Sequence, residues 1–218
     1  MEHERDLREF LVTSTKELGF SLTDHQAQQF LLYLSQLLTW NRTINLTNIT
    51  DPCEVISKHF VDSLTGLSAF NFPVQGTVLD VGSGGGFPGL PIKIVREDLR
   101  LILVEPSTKK CSFLRSIVGA LKLSQVTVFT GDLQQYANHE ATPVADVMVI
   151  RALRFDEIEG TVARTLMPNG HLLLYGTKKG TKSRSNALRV ESTHHFTLPL
   201  GHGGRVITVL SARALPDS

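Results

Sequence analysis

Residues 77–95 read TVLDVGSGGGFPGLPIKIV, and this stretch decides the fold of the chain. It opens with short apolar residues, typical of a buried parallel strand that ends near Asp80. Four glycines follow between positions 82 and 86, and residues 92–95 predict a helix. Glycines in such a turn let the backbone approach a ligand closely, and they are costly in backbone entropy. The stretch therefore predicts a nucleotide-type site rather than a loop without a ligand.

The spacing of the glycines distinguishes between ligands. A dinucleotide turn reads G-x-G-x-x-G, but the sixth position counted from Gly82 is Phe87. The phosphate-binding pattern, which needs a lysine after its last glycine, is also missing from this stretch. The acid followed by G-x-G-x-G favours S-adenosylmethionine, a nucleoside with a zwitterionic tail. Glu105 ends the next predicted strand, where a carboxylate can accept both ribose hydroxyls, although NAD offers the same hydroxyls.

Length and composition set the limits of the interpretation. With 218 residues, 41% hydrophobic content and a formal charge of +1, we expect one domain with room for an extension. A nucleic-acid contact would have to come from a local basic patch. Cys53 and Cys111 match no zinc or redox spacing, and we assign no metal site. The sequence shows no signal peptide and no apolar run that could span a membrane, so we expect a cytoplasmic protein.

Residues 1–70 predict a helical extension that packs on the rest of the chain. The first amphipathic helix covers residues 4–18. Thr23 and Gln26 form a capping-box pattern before the second helix, and Asp51 followed by proline starts the third.

His59 and Asp62 lie three residues apart, on one face of the third helix. Two interpretations are equally supported: the pair lines the mouth of the cofactor cleft, or it is a hydrogen-bonded packing pair. We assign no catalytic role to His59.

From residue 71 to 218, strands and helices alternate, which predicts a parallel sheet covered by helices. The remaining predicted strands cover residues 126–129, 146–150, 172–175, 194–198 and 205–210. A turn at 167–170 is expected before the fifth strand, and a hairpin joins the last two. The predicted class is α/β, a Rossmann-like S-adenosylmethionine-dependent methyltransferase with a mostly parallel seven-stranded sheet and helices on both faces.

A basic segment, GTKKGTKSRSN, follows Tyr175. Its cations are Lys178, Lys179, Lys182 and Arg184. A solvated charge run and a contact with nucleic acid are equally supported, since the segment follows the end of a strand at the ligand edge of the sheet.

Several motifs together carry a resemblance to a known family. They are W-N at 40–41, N-L-T at 45–47, His59 with D-S at 62–63, and above all DVGSGGGFPGLP at 80–91. The chain resembles, over nearly its whole length, the bacterial glucose-inhibited division protein B family of 16S ribosomal RNA guanine-N7 methyltransferases. The F-P-G-x-P extension after the glycines is specific to that family among Rossmann-like methyltransferases.

The resemblance implies S-adenosylmethionine as cofactor and 16S ribosomal RNA, or the small ribosomal subunit, as partner. The cofactor-binding candidates are Gly82, Ser83, Gly84, Phe87, Glu105, Asp132, Leu133, Gln134 and Arg151. Leu133 and Gln134 are expected to hold the adenine, with Asp132 as a candidate for its amino group. Arg151 is the one candidate for catalytic positioning, on the cofactor carboxylate, a phosphate or guanine O6.

Three positions depart from the family pattern. The stretch DLQ at 132–134 lacks the usual basic residue and glutamate, and IRA at 150–152 stands for Ser-Arg-Ala. The usual Lys-Gly after the fifth strand aligns with Gly176 and Thr177. The last two departures bear on how RNA is positioned more than on cofactor binding.

The implied reaction is an in-line displacement that needs no general base, because N7 of guanine carries a lone pair and no proton. Two other functions remain open: a small-molecule methyltransferase of the same fold, and a cofactor-sensing RNA-binding or ribosome-assembly module without turnover. An NAD oxidoreductase fits least, given the glycine spacing. We expect a monomer.

Overall fold

The computed structural model describes residues 2–139, 145–176 and 188–212. The chain begins with two long helices and a third helical segment that contains a π-helical turn. Their bounds are α1 (Glu2–Glu17), α2 (Asp24–Asn41), α3 (Pro52–Val55), the π turn (Ile56–Val61) and α4 (Asp62–Ala69). Two predicted helix starts are confirmed: Thr23 closes a capping box on α2, and the Asp51 carboxylate caps α3.

The remaining described elements form one sheet and its covering helices. The strands are β1 (Thr77–Val81), β2 (Arg100–Glu105), β3 (Val126–Thr130), β4 (Ala145–Arg151), β5 (Leu166–Gly176), β6 (Leu188–Thr197) and β7 (Gly204–Ala212). The helices are α5 (Gly89–Val95), α6 (Thr108–Ala120), α7 (Leu133–Ala137) and α8 (Phe155–Thr165). The seven strands lie in the order β3-β2-β1-β4-β5-β7-β6, and only β7 runs antiparallel to its neighbours. The predicted mostly parallel seven-stranded sheet is confirmed.

Side chains alternate between the two faces of this sheet, so that both faces are buried. On one face, Val78, Leu103 and Val149 belong to a core shared with α2, α4, α5 and α6. On the other, Leu79 and Met148 pack in a second core with α7 and α8. Helices therefore cover both faces, as the near-continuous apolar strands predicted.

The strand order reverses direction between β1 and β4. From β1 the chain proceeds to β2 and β3 on one side, and then returns to place β4 on the other. In open α/β sheets, ligands bind in the crevice at such a point, beyond the carboxyl ends of the strands. The fold thus places the glycine turn, Glu105 and Arg151 along one edge.

The predicted strand bounds were too short at β5 and β6. Ala145 pairs with Leu166 and Val147 with His171, so the expected turn at 167–170 bulges out inside β5 instead of preceding it. Asn169 takes a positive φ of 65° within this bulge. Strand β6 already begins at Leu188, because its pairing with β7 continues well beyond the hairpin.

The predictions for the basic segment after Tyr175 and for membrane-spanning helices can be compared with the structure only in part. Lys178, Lys179, Lys182 and Arg184 lie outside the described residues. Within the described ranges, no helix is both long enough and apolar enough to cross a membrane.

The α2 cap provides a test of local stability. The hydroxyl of Thr23 accepts the Gln26 backbone N–H at 3.2 Å, and the Gln26 side chain accepts the Thr23 N–H at 3.0 Å. We expect Thr23→Ala to lower the free energy of unfolding by about 1 kcal/mol, measured by urea denaturation, because an orphan N–H loses its acceptor. Thr23→Ser should remain close to the unsubstituted protein. Equal unfolding midpoints for Thr23→Ala and Thr23→Ser would contradict this role.

Candidate active site

The glycine turn leaves β1 and is fixed at once to β2. The backbone N–H groups of Gly82 and Ser83 donate to the carbonyl of Val104 at 2.8 and 3.1 Å. Gly86 has a φ of 92°, and a Cβ there would meet Leu90 and Tyr33 at 2.5 Å. Gly84 has a φ of 57°, yet a Cβ there would meet nothing closer than 3.8 Å. The turn is therefore packed at Gly86 and open at Gly84.

Glu105 joins the end of β2 to this turn. Its Oε2 accepts the N–H of Gly84 at 2.9 Å and its Oε1 accepts the N–H of Ser107 at 2.9 Å. The residue is only 5% exposed. Each carboxylate oxygen has a second acceptor site, so Glu105 can still accept hydrogen bonds from a ligand beside the turn.

Asp80, the acid that precedes the glycines in the sequence pattern, is a second buried carboxylate under the turn. Its Oδ2 accepts the N–H of Gly89 at 2.9 Å, and its Oδ1 has no hydrogen-bond partner among the described residues. Burial raises the pKa of Asp80 from 3.8 to about 7. The acid-before-glycine pattern was visible in the sequence, but its burial depends on the helix packed above it.

Phe87 connects the glycine turn to the helical extension. Its ring stacks on His59 at 4.6 Å and on Tyr33 at 5.4 Å between centroids. The guanidinium carbon of Arg151 lies 5.1 Å from the same ring centre. Only 5% of Phe87 is exposed, so its ring is part of the packing that holds the turn against the extension.

Asp132, Leu133 and Gln134 lie at the same edge of the sheet, after β3. Asp132 caps α7, where its carboxylate accepts the Gln135 N–H at 2.8 Å. Leu133 is buried. The Gln134 side chain accepts from the Thr161 hydroxyl at 2.8 Å and donates to Asn138 at 3.1 Å. The Gln134 side chain is therefore engaged with protein, whereas the exposed Asp132 carboxylate can still accept hydrogen bonds from a ligand, and the backbone at the start of α7 can donate them.

Arg151, at the end of β4, is held by the helical extension. Its Nη1 donates to Asp62 Oδ2 at 3.0 Å and to the carbonyl of Lys58 at 3.2 Å, while its Nη2 lies 3.3 Å from His59 Nδ1. Asp62 is buried and also pairs with Arg205 Nε at 3.0 Å. Burial raises the pKa of Asp62, and the two arginines oppose that shift.

These contacts assign the tautomer of His59. An arginine N–H only donates, so Nδ1 of His59 accepts and the ring proton is on Nε2, which donates to Thr47 Oγ1 at 2.7 Å. Asn41 fixes the Thr47 loop, because its side chain accepts the Thr47 N–H at 3.0 Å and donates to the Thr47 carbonyl at 2.8 Å. Asn41 of the W-N motif and Thr47 of the N-L-T motif thus orient His59, which in turn contacts Arg151. His59 and Asp62 both contact Arg151 and both line the neighbouring cavity, so the packing role is observed and a role beside the cofactor stays a prediction.

A cavity of about 420 Å³ opens beside this cluster. Its walls come from Ile49 and Lys58 of the extension, Arg151 and Ala152 after β4, Tyr175 of β5, and Arg205 of β7. Sequence reasoning missed Lys58 and Arg205, since no local pattern connects either residue to β4. Among the described residues, no group of three histidine, cysteine or acidic side chains is arranged to hold a metal ion.

His59 has a testable protonation state. Burial, followed by the charge of Arg151, lowers its pKa from 6.5 to about 3. Between these two pKa values the unfolded chain binds a proton that the folded ring excludes. The free energy of unfolding therefore falls as the pH falls, and this group contributes about 1.4 kcal/mol per pH unit. We expect ¹⁵N spectra to show a neutral Nε2–H ring down to pH 5.

His59→Gln should remove this part of the pH dependence of unfolding. Asp80, with its raised pKa, acts in the opposite direction over the same window, so the variant must be compared with the unsubstituted protein at each pH. His25→Gln, at an exposed position on α2, is the matched control. A His59 ring that becomes protonated near pH 6.5 would refute the assignment.

Comparison with known proteins identifies the family. The GidB family model, described as rRNA small subunit methyltransferase G, matches residues 26–203. The ribosomal RNA small subunit methyltransferase G of Desulforamulus reducens is 44% identical over 121 residues, which cover 56% of this chain and 50% of that protein. The protein of the same name from Lachnoclostridium phytofermentans is 32% identical, covering 81% and 74%. That of Staphylococcus carnosus is 31% identical, covering 94% and 90%.

Solved structures give the fold independently. MtNAS in complex with S-adenosylmethionine superposes with a TM-score of 0.60 at 14% identity, covering 96% of this chain and 89% of that one. TrmN from Thermus thermophilus gives 0.55 at 16% identity, covering 70% and 48%. The fold is therefore the class I fold of S-adenosylmethionine-dependent methyltransferases, as predicted. Because the family model spans most of the chain, and relatives match it closely, the chain belongs to the rRNA small subunit methyltransferase G family.

Proposed function

We propose that this protein transfers a methyl group from S-adenosylmethionine to N7 of a guanine in 16S ribosomal RNA. The observation that carries the proposal is the open glycine turn, which is hydrogen-bonded to Glu105 at the point where the strand order reverses. The chain that contains this turn belongs to a methyltransferase family. The names of the relatives support small-subunit ribosomal RNA as the substrate class.

The cofactor site is assigned to the turn and the two strand ends beside it. Gly82, Ser83 and Gly84 border the ligand with backbone atoms, and Glu105 accepts the ribose hydroxyls. The open space at Gly84 and the spare acceptor sites of Glu105 fit such a group. The adenine is assigned to the backbone of Leu133 and Gln134. The Asp132 carboxylate caps α7 through one oxygen and remains a candidate for the adenine amino group.

Catalysis then depends on orientation. The cofactor supplies an electrophilic methyl group, and the protein aligns guanine N7 with it, so that a bimolecular reaction becomes effectively unimolecular. No general base is needed, and His59 would be a weak one, because its pKa is lowered to about 3 and its Nδ1 already accepts from Arg151. Arg151 contacts Phe87 of the turn and also lines the cleft, so it is a positioning residue between the two ligands. We assign it to the cofactor carboxylate or an RNA phosphate.

The acceptor base has to leave its stack to reach this edge, since N7 inside a structured helix cannot align with the methyl group. Lys178, Lys179, Lys182 and Arg184 are proposed as further RNA contacts on the sequence alone. We also propose a cytoplasmic monomer, with residues 1–70 as the extension and 71–218 as the methyltransferase core. The extension is part of the site, because it supplies Lys58, His59 and Asp62 to the cleft.

The direct test is methyl transfer to small ribosomal subunits from cells that lack this protein. With radiolabelled S-adenosylmethionine, we expect label in 7-methylguanosine after digestion to nucleosides. Cofactor binding without label in any nucleoside would favour a small-molecule acceptor or a sensing module. A protein that binds no cofactor would overturn the assignment of the glycine turn.

Gly84→Ala tests the cofactor site separately. The positive φ costs an alanine about 1–2 kcal/mol, but the open surroundings cause no clash, so the protein should stay folded. We expect its dissociation constant for S-adenosylmethionine, measured by calorimetry, to rise about tenfold or more. The added methyl group moves the backbone that faces the ligand, and losing one contact of about 1.4 kcal/mol weakens binding tenfold. Gly119→Ala, at an exposed helical position with nothing within 4 Å, is the control. Equal affinities for the two variants would count against the site.

A further inference from the structure

Two arginines share one buried carboxylate at the inner wall of the cleft. Arg151 Nη1 lies 3.0 Å from Asp62 Oδ2, and Arg205 Nε lies 3.0 Å from Asp62 Oδ1. The side chain of Asp62 is only 4% exposed. Lys58, the third cation of the cleft, is paired with Glu54 at 3.0 Å. The cluster therefore carries one positive charge more than its carboxylate neutralises.

Arg205 has a donor available for a ligand. Its Nε faces Asp62 and its Nη1 donates to the carbonyl of Gly204 at 3.1 Å. Its Nη2 has no partner among the residues that the structure describes. The ion pair with Asp62 and the hydrogen bond to Gly204 together hold this guanidinium at the wall of the cleft. A planar, oriented guanidinium matches the oxygens of a phosphate.

We propose that Arg205 binds a phosphate of the acceptor nucleotide, and that the cleft between Arg205 and Arg151 receives the rest of that nucleotide. This inference rests on the proposed function, and it names the residue that anchors the RNA beside the methyl group. A cavity of about 420 Å³ is within the range of small-ligand sites. Ile49 and Tyr175 give it apolar wall for a base or ribose.

The position of Arg205 in the sheet separates it from the cofactor. From β1, which leads into the glycine turn, the neighbouring strands are β4, β5 and then β7, whose second residue is Arg205. Three strand spacings amount to about 14 Å. Arg205 therefore lies on the acceptor side, while the turn and Glu105 lie on the other side of Arg151.

The chemistry of the reaction favours the phosphate over the base edge. Guanine becomes positively charged when N7 is methylated, so a second cation close to N7 would oppose the transfer. A phosphate contact uses the same charge to fix the position of the nucleotide without touching the reacting atom. The additional positive charge of the cluster thus serves to bind a phosphate of the RNA backbone.

The test is the salt dependence of binding to small ribosomal subunits from cells that lack this protein. Magnesium is held constant while potassium chloride is varied. We expect Arg205→Gln to weaken binding about tenfold, and to reduce the slope of log Kd against log salt by about one, as loss of one phosphate contact requires. Arg205→Lys should keep the slope. The affinity for S-adenosylmethionine should stay the same in both variants.

Arg189→Gln is the matched control, since it removes the same charge from an exposed position at the far end of the same hairpin. It should leave the slope unchanged. An unchanged slope for Arg205→Gln would overturn the inference, and so would a loss of cofactor affinity with intact subunit binding. A protein that binds subunits but does not methylate them would refute the proposed function alone, and the slope would still decide the role of Arg205.

A second measurement needs only the unsubstituted protein. Guanosine 5′-monophosphate should displace it from subunits more effectively than guanosine, because only the nucleotide carries the anion that Arg205 binds. Equal competition by the two compounds would overturn the inference, even if Arg205→Gln did not fold.

Discussion

The buried carboxylate of Asp62 is the interaction on which the site depends. It joins three segments that are far apart in the sequence: the helical extension, the end of β4 through Arg151, and the start of β7 through Arg205. A buried carboxylate is costly to desolvate, and losing either guanidinium would leave it undercompensated. Asp62 therefore fixes the position of the β6–β7 hairpin relative to the extension. A second contact, from the Ser57 hydroxyl to the carbonyl of Pro199 at 3.2 Å, also holds the hairpin against the extension.

The extension consequently completes the site instead of merely covering the sheet. Tyr33 and His59 stack on Phe87, and the Tyr33 hydroxyl donates to the carbonyl of Gly85, so two helices support the glycine turn. The π turn that carries His59 shifts the helix by one residue, so that His59 and Asp62 reach Arg151 together. Such turns often occur at functional sites. The geometry of the cleft is therefore a property of the whole chain, and a core without its extension would lack one wall.

The sequence predicted the features whose causes are local. The strand, glycine turn and helix, and the caps at Thr23 and Asp51, follow from neighbouring residues and were found correctly. The role of Arg205 could not be predicted, because its partner lies 143 positions earlier and meets it only through the hairpin. The bulge in β5 was missed for the same reason, since it depends on the register against β4. Asp80 was visible as a residue, but its burial is a consequence of tertiary packing.

The charges of the site agree with the chemistry that we propose. In methyl transfer from a sulfonium to guanine, a positive charge moves from sulfur to the base, and the total charge of the reacting groups does not change. A site for this reaction needs no proton acceptor and no new counter-ion, only a fixed field. The cluster supplies such a field: His59 remains neutral, its proton placement is fixed by Thr47, and both arginines are held by one carboxylate. This chemistry thus needs no nucleophile–base pair, and selectivity has to come from how the acceptor is positioned.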